Sequence, residues 1–117
     1  MAVTFIRIAA TLCFLAVALG AFGAHALQAK LQGNGMLEVW NKAVLYHFLH
    51  AIALLILAFH AAGNRAAYFL IAAGIVVFSG SLYALALTNI HWLGAITPIG
   101  GLCFLAGWAW LVISPKL

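Results

Sequence analysis

Carboxylates are almost missing from this chain. It contains no aspartate and a single glutamate, Glu38. That excludes a catalytic carboxylate pair, a Ser-His-Asp set and the multi-glutamate ligation of di-iron bundles. No HExxH, P-loop or dinucleotide motif occurs either. The sequence therefore predicts no enzyme, no cofactor and no metal site. Charge of both signs is scarce, at 5% of 117 residues against about a quarter in a soluble domain. The cations Arg7, Lys30, Lys42, Arg65 and Lys116 are scattered at segment ends. They form no clustered basic face of the kind nucleic acid requires. They suit helix-end anchoring on anionic headgroups. Cysteine is limited to Cys13 and Cys103, both inside apolar runs and without CxxC spacing. They read as small buried hydrophobes.

Apolar residues are abundant, at 68%. A chain this short cannot hide so much apolar surface in one core, so lipid must solvate most of it. Four continuous apolar segments cover about residues 4–26, 40–61, 66–88 and 93–114. Each has about 22 residues, or about 33 Å of helix, enough for a hydrocarbon core about 30 Å thick. Only helices or closed barrels satisfy the backbone in lipid, and continuous rather than alternating apolarity selects helices. The expected fold is an all-α membrane protein, a single 1–117 domain of four transmembrane helices in an up-down-up-down bundle. Segment one also imitates a signal peptide, with Arg7 before an apolar stretch and Ala24-His25-Ala26 as an A-x-A site. Its length suits a spanning helix, and it is expected to be retained.

Residues 28–39 form the one sizeable loop, with Gly33-Asn34-Gly35 as a flexible turn. Arg7, Arg65 and Lys116 fall on one side, Lys30 and Lys42 on the other, which favours cytoplasmic termini. Trp40, Trp92, Trp108 and Trp110 read as interfacial aromatics.

Polar side chains are unevenly spread in depth. Counting from the 28–39 side, His47 lies about 10 Å deep and His50 about 15 Å deep. Ser79, Ser81 and Tyr83 fall at about 7 to 14 Å and Thr97 at about 6 Å. His25, Glu38 and Asn41 mark the surface on that side. A polar pocket opening there is expected, because polar groups in hydrocarbon face the bundle interior or a wet cavity. Its tentative ligand or proton contacts are His25, His47, His50, Ser79, Ser81 and Thr97, with Glu38 as the loop-side acid. His47 and His50, three residues apart, share a helix face. They suit polar bonding between helices, contact with a proton or small ligand, or metal ligation. His25 and His60 sit at the wrong depths for a bis-histidine haem. Gly20, Ala24 and Gly101 read as helix-packing positions. Pro98 should kink the fourth helix and free a carbonyl.

The stretches GAFGAHAL (20–27), WNKAVLYHFLHAIALL (40–55), FSGSLYALALT (78–88) and LGAITPIGGLCFLAGW (93–108) together resemble the domain of unknown function 423 family. The resemblance implies a small multi-pass membrane protein of bacterial inner-membrane type. The matching motifs carry the histidines at 25, 47 and 50, the Ser-Gly-Ser of 79–81 and the Thr-Pro of 97–98. It implies no activity.

Two functional readings follow. One is a non-enzymatic, membrane-embedded binding or transport protein for a proton, cation or small polar ligand. The other is an accessory or assembly subunit, packing in a larger membrane complex or homo-oligomer.

Overall fold

The computed structural model describes residues 2–60 and 64–115. Ala61 and Gly63, at the expected second connection, and Lys116 lie outside the described residues. Four stretches are helical, long and apolar enough to cross a membrane. The first is α1 (Ala2–Ala24) and the second α3 (Leu37–His60). The third runs through α4 (Arg65–Gly74), a π-helical turn (Ile75–Ser79) and α5 (Gly80–Thr88). The fourth begins with a 3₁₀ turn (His91–Ala95) and continues as α6 (Thr97–Ile113).

The stretch read from sequence as a loop contains a helix, α2 (Gln28–Gly33). Six residues do not hold a helix by propensity. Burial of Leu31 against Trp40 and Ala86 does. Gly35, with φ +69°, caps α2. Its N–H donates to Gln32 O and that of Met36 to Leu31 O, the paired bonds of a Schellman motif. The Asn34 amide then donates to Ala86 O, pinning α2 to α5.

Pro98 does not kink a helix. It occupies the first turn of α6, where the missing N–H has no intrahelical partner to lose. The break falls instead in the third span, where the π turn adds a residue to the winding and Gly80 N–H reaches back to Ile75 O.

The helices pack as a diamond. α3 and the third span form the inner pair, α1 leans on α3, and α6 leans on the third span. α1 and α6 share no packing seam among the described residues. Glycine permits the closest approaches. A Cβ at Gly100 would strike the Phe78 backbone, and one at Gly74 would strike the Phe104 ring.

α1 is held by side chains that bond to its own carbonyls. Tyr68 Oη donates to Phe5 O at 2.8 Å and Trp40 Nε1 to Leu19 O at 3.0 Å. Trp40 is thus fully buried between helices, near the start of α3. Its indole fits because Gly23 lacks a side chain. Gly20 meets Val44, whereas Ala24 is exposed and Gly23 takes the packing place expected of it. Steps of four residues drift around a helix of 3.6 residues per turn, so the third member leaves the seam.

Candidate functional site

The 3-4-3-4 spacing along α3 puts Trp40, Ala43, His47, His50 and Leu54 on one face, and all five are buried. The two histidines then diverge. His50 is fully engaged. Its Nδ1 faces Tyr46 O at 2.7 Å, and a carbonyl only accepts, so Nδ1 carries the hydrogen. Its Nε2 faces Trp108 Nε1 at 3.0 Å, and an indole N–H only donates, so Nε2 accepts. The ring is a neutral imidazole with one tautomer selected. It stacks on Phe104, with centroids 3.7 Å apart and planes at 15°.

His47 is half engaged. Its Nδ1 lies 2.8 Å from Tyr83 Oη. Its Nε2 is buried and completes no hydrogen bond among the described residues. The α1 backbone at Leu12 lies beside the ring. Tyr83 packs its own ring on Trp40, 4.8 Å between centroids.

The remaining polar candidates bond in separate pairs. Ser79, in the π turn, donates to Ala43 O at 2.9 Å and ties the third span to α3. Ser81 and Thr97 meet at 2.6 Å between hydroxyl oxygens, joining α5 to α6. His25 and Glu38 are exposed, and no hydrogen bond or ion pair links them to each other or to His47 among the described residues. No cluster of three His, Cys, Asp or Glu side chains that could hold a metal occurs among the described residues.

Beside His50 lies a groove of about 600 Å³ between α3 and α6, with Phe78 at its base. Tyr46, His50, Phe104 and Trp108 wall it, and Pro98, Gly101, Leu102 and Leu105 complete it. It exists because α6 follows the third span rather than α3. Its α3–α6 side is closed by the His50–Trp108 bond and the stacked rings. Leu102 and Leu105 on its rim are exposed, so the groove opens sideways from spanning segments. His50 is its one member among the residues proposed from sequence as ligand contacts. Tyr46, Phe104 and Trp108 were not among those contacts. Trp108 lies about 16 Å along α6, opposite His50 on α3. The seven-residue recurrence Gly94, Gly101, Trp108 was the signal in sequence that could have placed it on the groove face.

The family model described as "Protein of unknown function (DUF423)" matches residues 19–101. The chain belongs to the DUF423 family. The match takes in both histidines, Tyr83 and the π turn, and stops short of Phe104 and Trp108. Among curated relatives, a UPF0382 membrane protein of Staphylococcus haemolyticus is 48% identical over 114 residues, covering 94% of this chain and 93% of the relative. UPF0382 membrane protein YwdK of Bacillus subtilis is 46% identical over 116 residues, covering 94% of each chain. A UPF0382 membrane protein of Staphylococcus aureus is 47% identical over 114 residues, covering 94% of this chain and 93% of the relative. No solved structure gives a significant match. This DUF423 chain is, like these relatives, a membrane protein.

Proposed function

We propose that this protein is a non-enzymatic, membrane-embedded binding or transport protein whose ligand seats in the groove between α3 and α6. The observation that carries this reading is the groove itself: about 600 Å³, walled by four aromatic or imidazole rings and preformed by the His50–Trp108 bond. Preformed apolar clefts with a few polar groups are the usual form of small-molecule sites. The ligand class follows from the lining. No charged side chain lines the groove, which disfavours a metal cation or a charged solute. Both His50 nitrogens are engaged, which leaves the hydroxyl of Tyr46, a lining residue, to meet a polar end. The ligand is therefore a small lipid-soluble molecule, largely apolar, with one hydrogen-bonding end. The membrane is the inner (plasma) membrane, with both termini cytoplasmic, as the distribution of Lys and Arg favours.

The test is native mass spectrometry on full-length protein released gently from its own membrane, wild type against Gly101→Leu and His50→Ala. Gly101 leaves room for a side chain, its added Cβ coming no closer than 3.9 Å to the Phe78 ring, so leucine would fill the groove without breaking the seam. A bound small mass lost in both variants supports the groove and identifies its occupant. An empty protein that arrives with another polypeptide, in all three forms alike, replaces this reading with that of an accessory subunit.

A further inference from the structure

The groove between α3 and α6 lies among spanning segments, and that restricts what can occupy it. In water an apolar cleft gathers any apolar molecule. In a bilayer it does not, because lipid tails are as apolar as the cleft. A ligand that offers only alkyl surface gains nothing by leaving the lipid. The occupant must make contacts that lipid tails cannot make. Those are stacking on rings and a hydrogen bond in a low dielectric.

The walls offer both. Tyr46, His50 and Phe104 lie nearly parallel, with interplanar angles of 12° and 15°. Phe78 packs against the outer two, its centroid 5.0 Å from Tyr46 and 5.4 Å from Phe104. Trp108 meets His50 edge-on at 61°. Five rings thus form one connected wall, and Gly101 leaves open the space beside the Phe78 ring. The faces of these aromatic rings carry negative potential. A flat, electron-poor ring therefore stacks on them better than an electron-rich one. The polar contact selects as well. His50 Nδ1–H is engaged by Tyr46 O and the Trp108 indole N–H by His50 Nε2. Of the lining polar side chains this leaves the Tyr46 hydroxyl, which can donate to a carbonyl. Tyr46 lies about 13 Å along α3 from Leu37, where a hydroxyl in hydrocarbon gains from such a partner.

We infer that the groove seats the head of a lipid-soluble quinone. Its ring is flat and drained of electrons by its carbonyls. One carbonyl accepts from the Tyr46 hydroxyl, and the apolar tail leaves past Leu102 and Leu105, which are exposed at the sideways opening. The volume of about 600 Å³ lies within the usual range of small-molecule sites and holds the head with the first part of the tail. An acyl chain has no ring face, and a phenolic lipid has an electron-rich one. This inference rests on the groove reading and narrows its ligand to one chemical class.

The test uses the full chain in phosphatidylcholine vesicles, titrated with a decyl-tailed benzoquinone and read by tryptophan fluorescence. Quinones quench indoles on contact, and Trp108 stands in the groove wall. Trp92 and Trp110 are exposed and supply a collisional background that does not saturate. Wild type should add a saturable component to that background. Tyr46→Phe keeps the ring, removes the hydroxyl, and should weaken the saturable component about tenfold. Gly101→Leu should abolish it. Circular dichroism and a single size-exclusion peak would establish that both variants are folded. Two competitors need no variant. The decyl-tailed hydroquinone, kept reduced under argon, should displace the quinone several-fold less well, and decylcyclohexane should not displace it. No saturable component in wild type, equal saturation in Tyr46→Phe, or competition by decylcyclohexane overturns the inference. Saturation that survives Gly101→Leu overturns it too, by placing the quinone elsewhere. The groove reading fails separately: a different small mass lost from Gly101→Leu in native mass spectrometry keeps the groove and removes the quinone.

Discussion

Trp108 donates its indole hydrogen to Nε2 of His50 across 3.0 Å, and this bond fixes which nitrogen of a mid-membrane imidazole carries the proton. It joins α6 to α3 where their backbones stay apart. It also separates the two histidines of the α3 face into different roles. His50 is a structural wall of the groove, and His47 pairs with Tyr83 outside it.

Removing the donor should expose the worth of that bond. Trp108→Phe leaves Nε2 of His50 buried and unpaired, and should destabilise the protein by about 1–3 kcal/mol. Reversible unfolding in mixed micelles would read it. An unchanged transition would mean that His50 finds another donor.

The clasps on α1 should act independently. Phe5 and Leu19 are fourteen residues apart, about 21 Å along the helix. Tyr68→Phe should cost about 1 kcal/mol. Trp40→Phe should cost more, since it also leaves a void beside Gly23. At that separation the double variant should equal the sum within about 0.5 kcal/mol. Strong non-additivity in a thermal or denaturant titration would show that α1 docks as one rigid unit.

Two glycines should respond with opposite sign. Gly100→Ala drives a methyl into the Phe78 backbone and should destabilise by about 1–3 kcal/mol. Gly80→Ala meets nothing within 4 Å, lies in helix, and should stabilise by about 0.5–1 kcal/mol. Comparing both melting curves with wild type decides it. A loss at Gly80 would show that the junction with the π turn needs glycine for its winding.

Orientation is open to direct labelling. In a Cys13→Ala/Cys103→Ala background, Gln32→Cys on exposed α2 should react with a membrane-impermeant maleimide added to intact cells. Val3→Cys should react only after the membrane is opened. The reverse pattern would place the termini outside.

The four spans were legible because hydrocarbon leaves the backbone few choices, and the inward face of α3 because its buried residues keep strict helical spacing. Legibility failed where tertiary contact outweighs local signal. α2 forms because Leu31 is covered and Gly35 caps it, and six residues of QAKLQG carry no periodicity to reveal this. The π turn leaves no mark beyond an ordinary apolar run, IVVFS. The bonds of Trp40 and Trp108 were not foreseen because tryptophan near a segment end gives no sign of its partner, whereas here each indole bonds to a carbonyl or imidazole of a neighbouring helix. One shared polar pocket was expected from depth alone. Depth does not say which neighbour a hydroxyl meets, and Ser79, Ser81 and Thr97 instead bond in local pairs.

The sideways opening of the α3–α6 groove changes what concentration means for its occupant. A molecule that reaches the groove through hydrocarbon arrives in two dimensions, and its occupancy follows its mole fraction in the bilayer. Diluting a membrane suspension with buffer would leave such a site filled, whereas adding empty lipid would drain it.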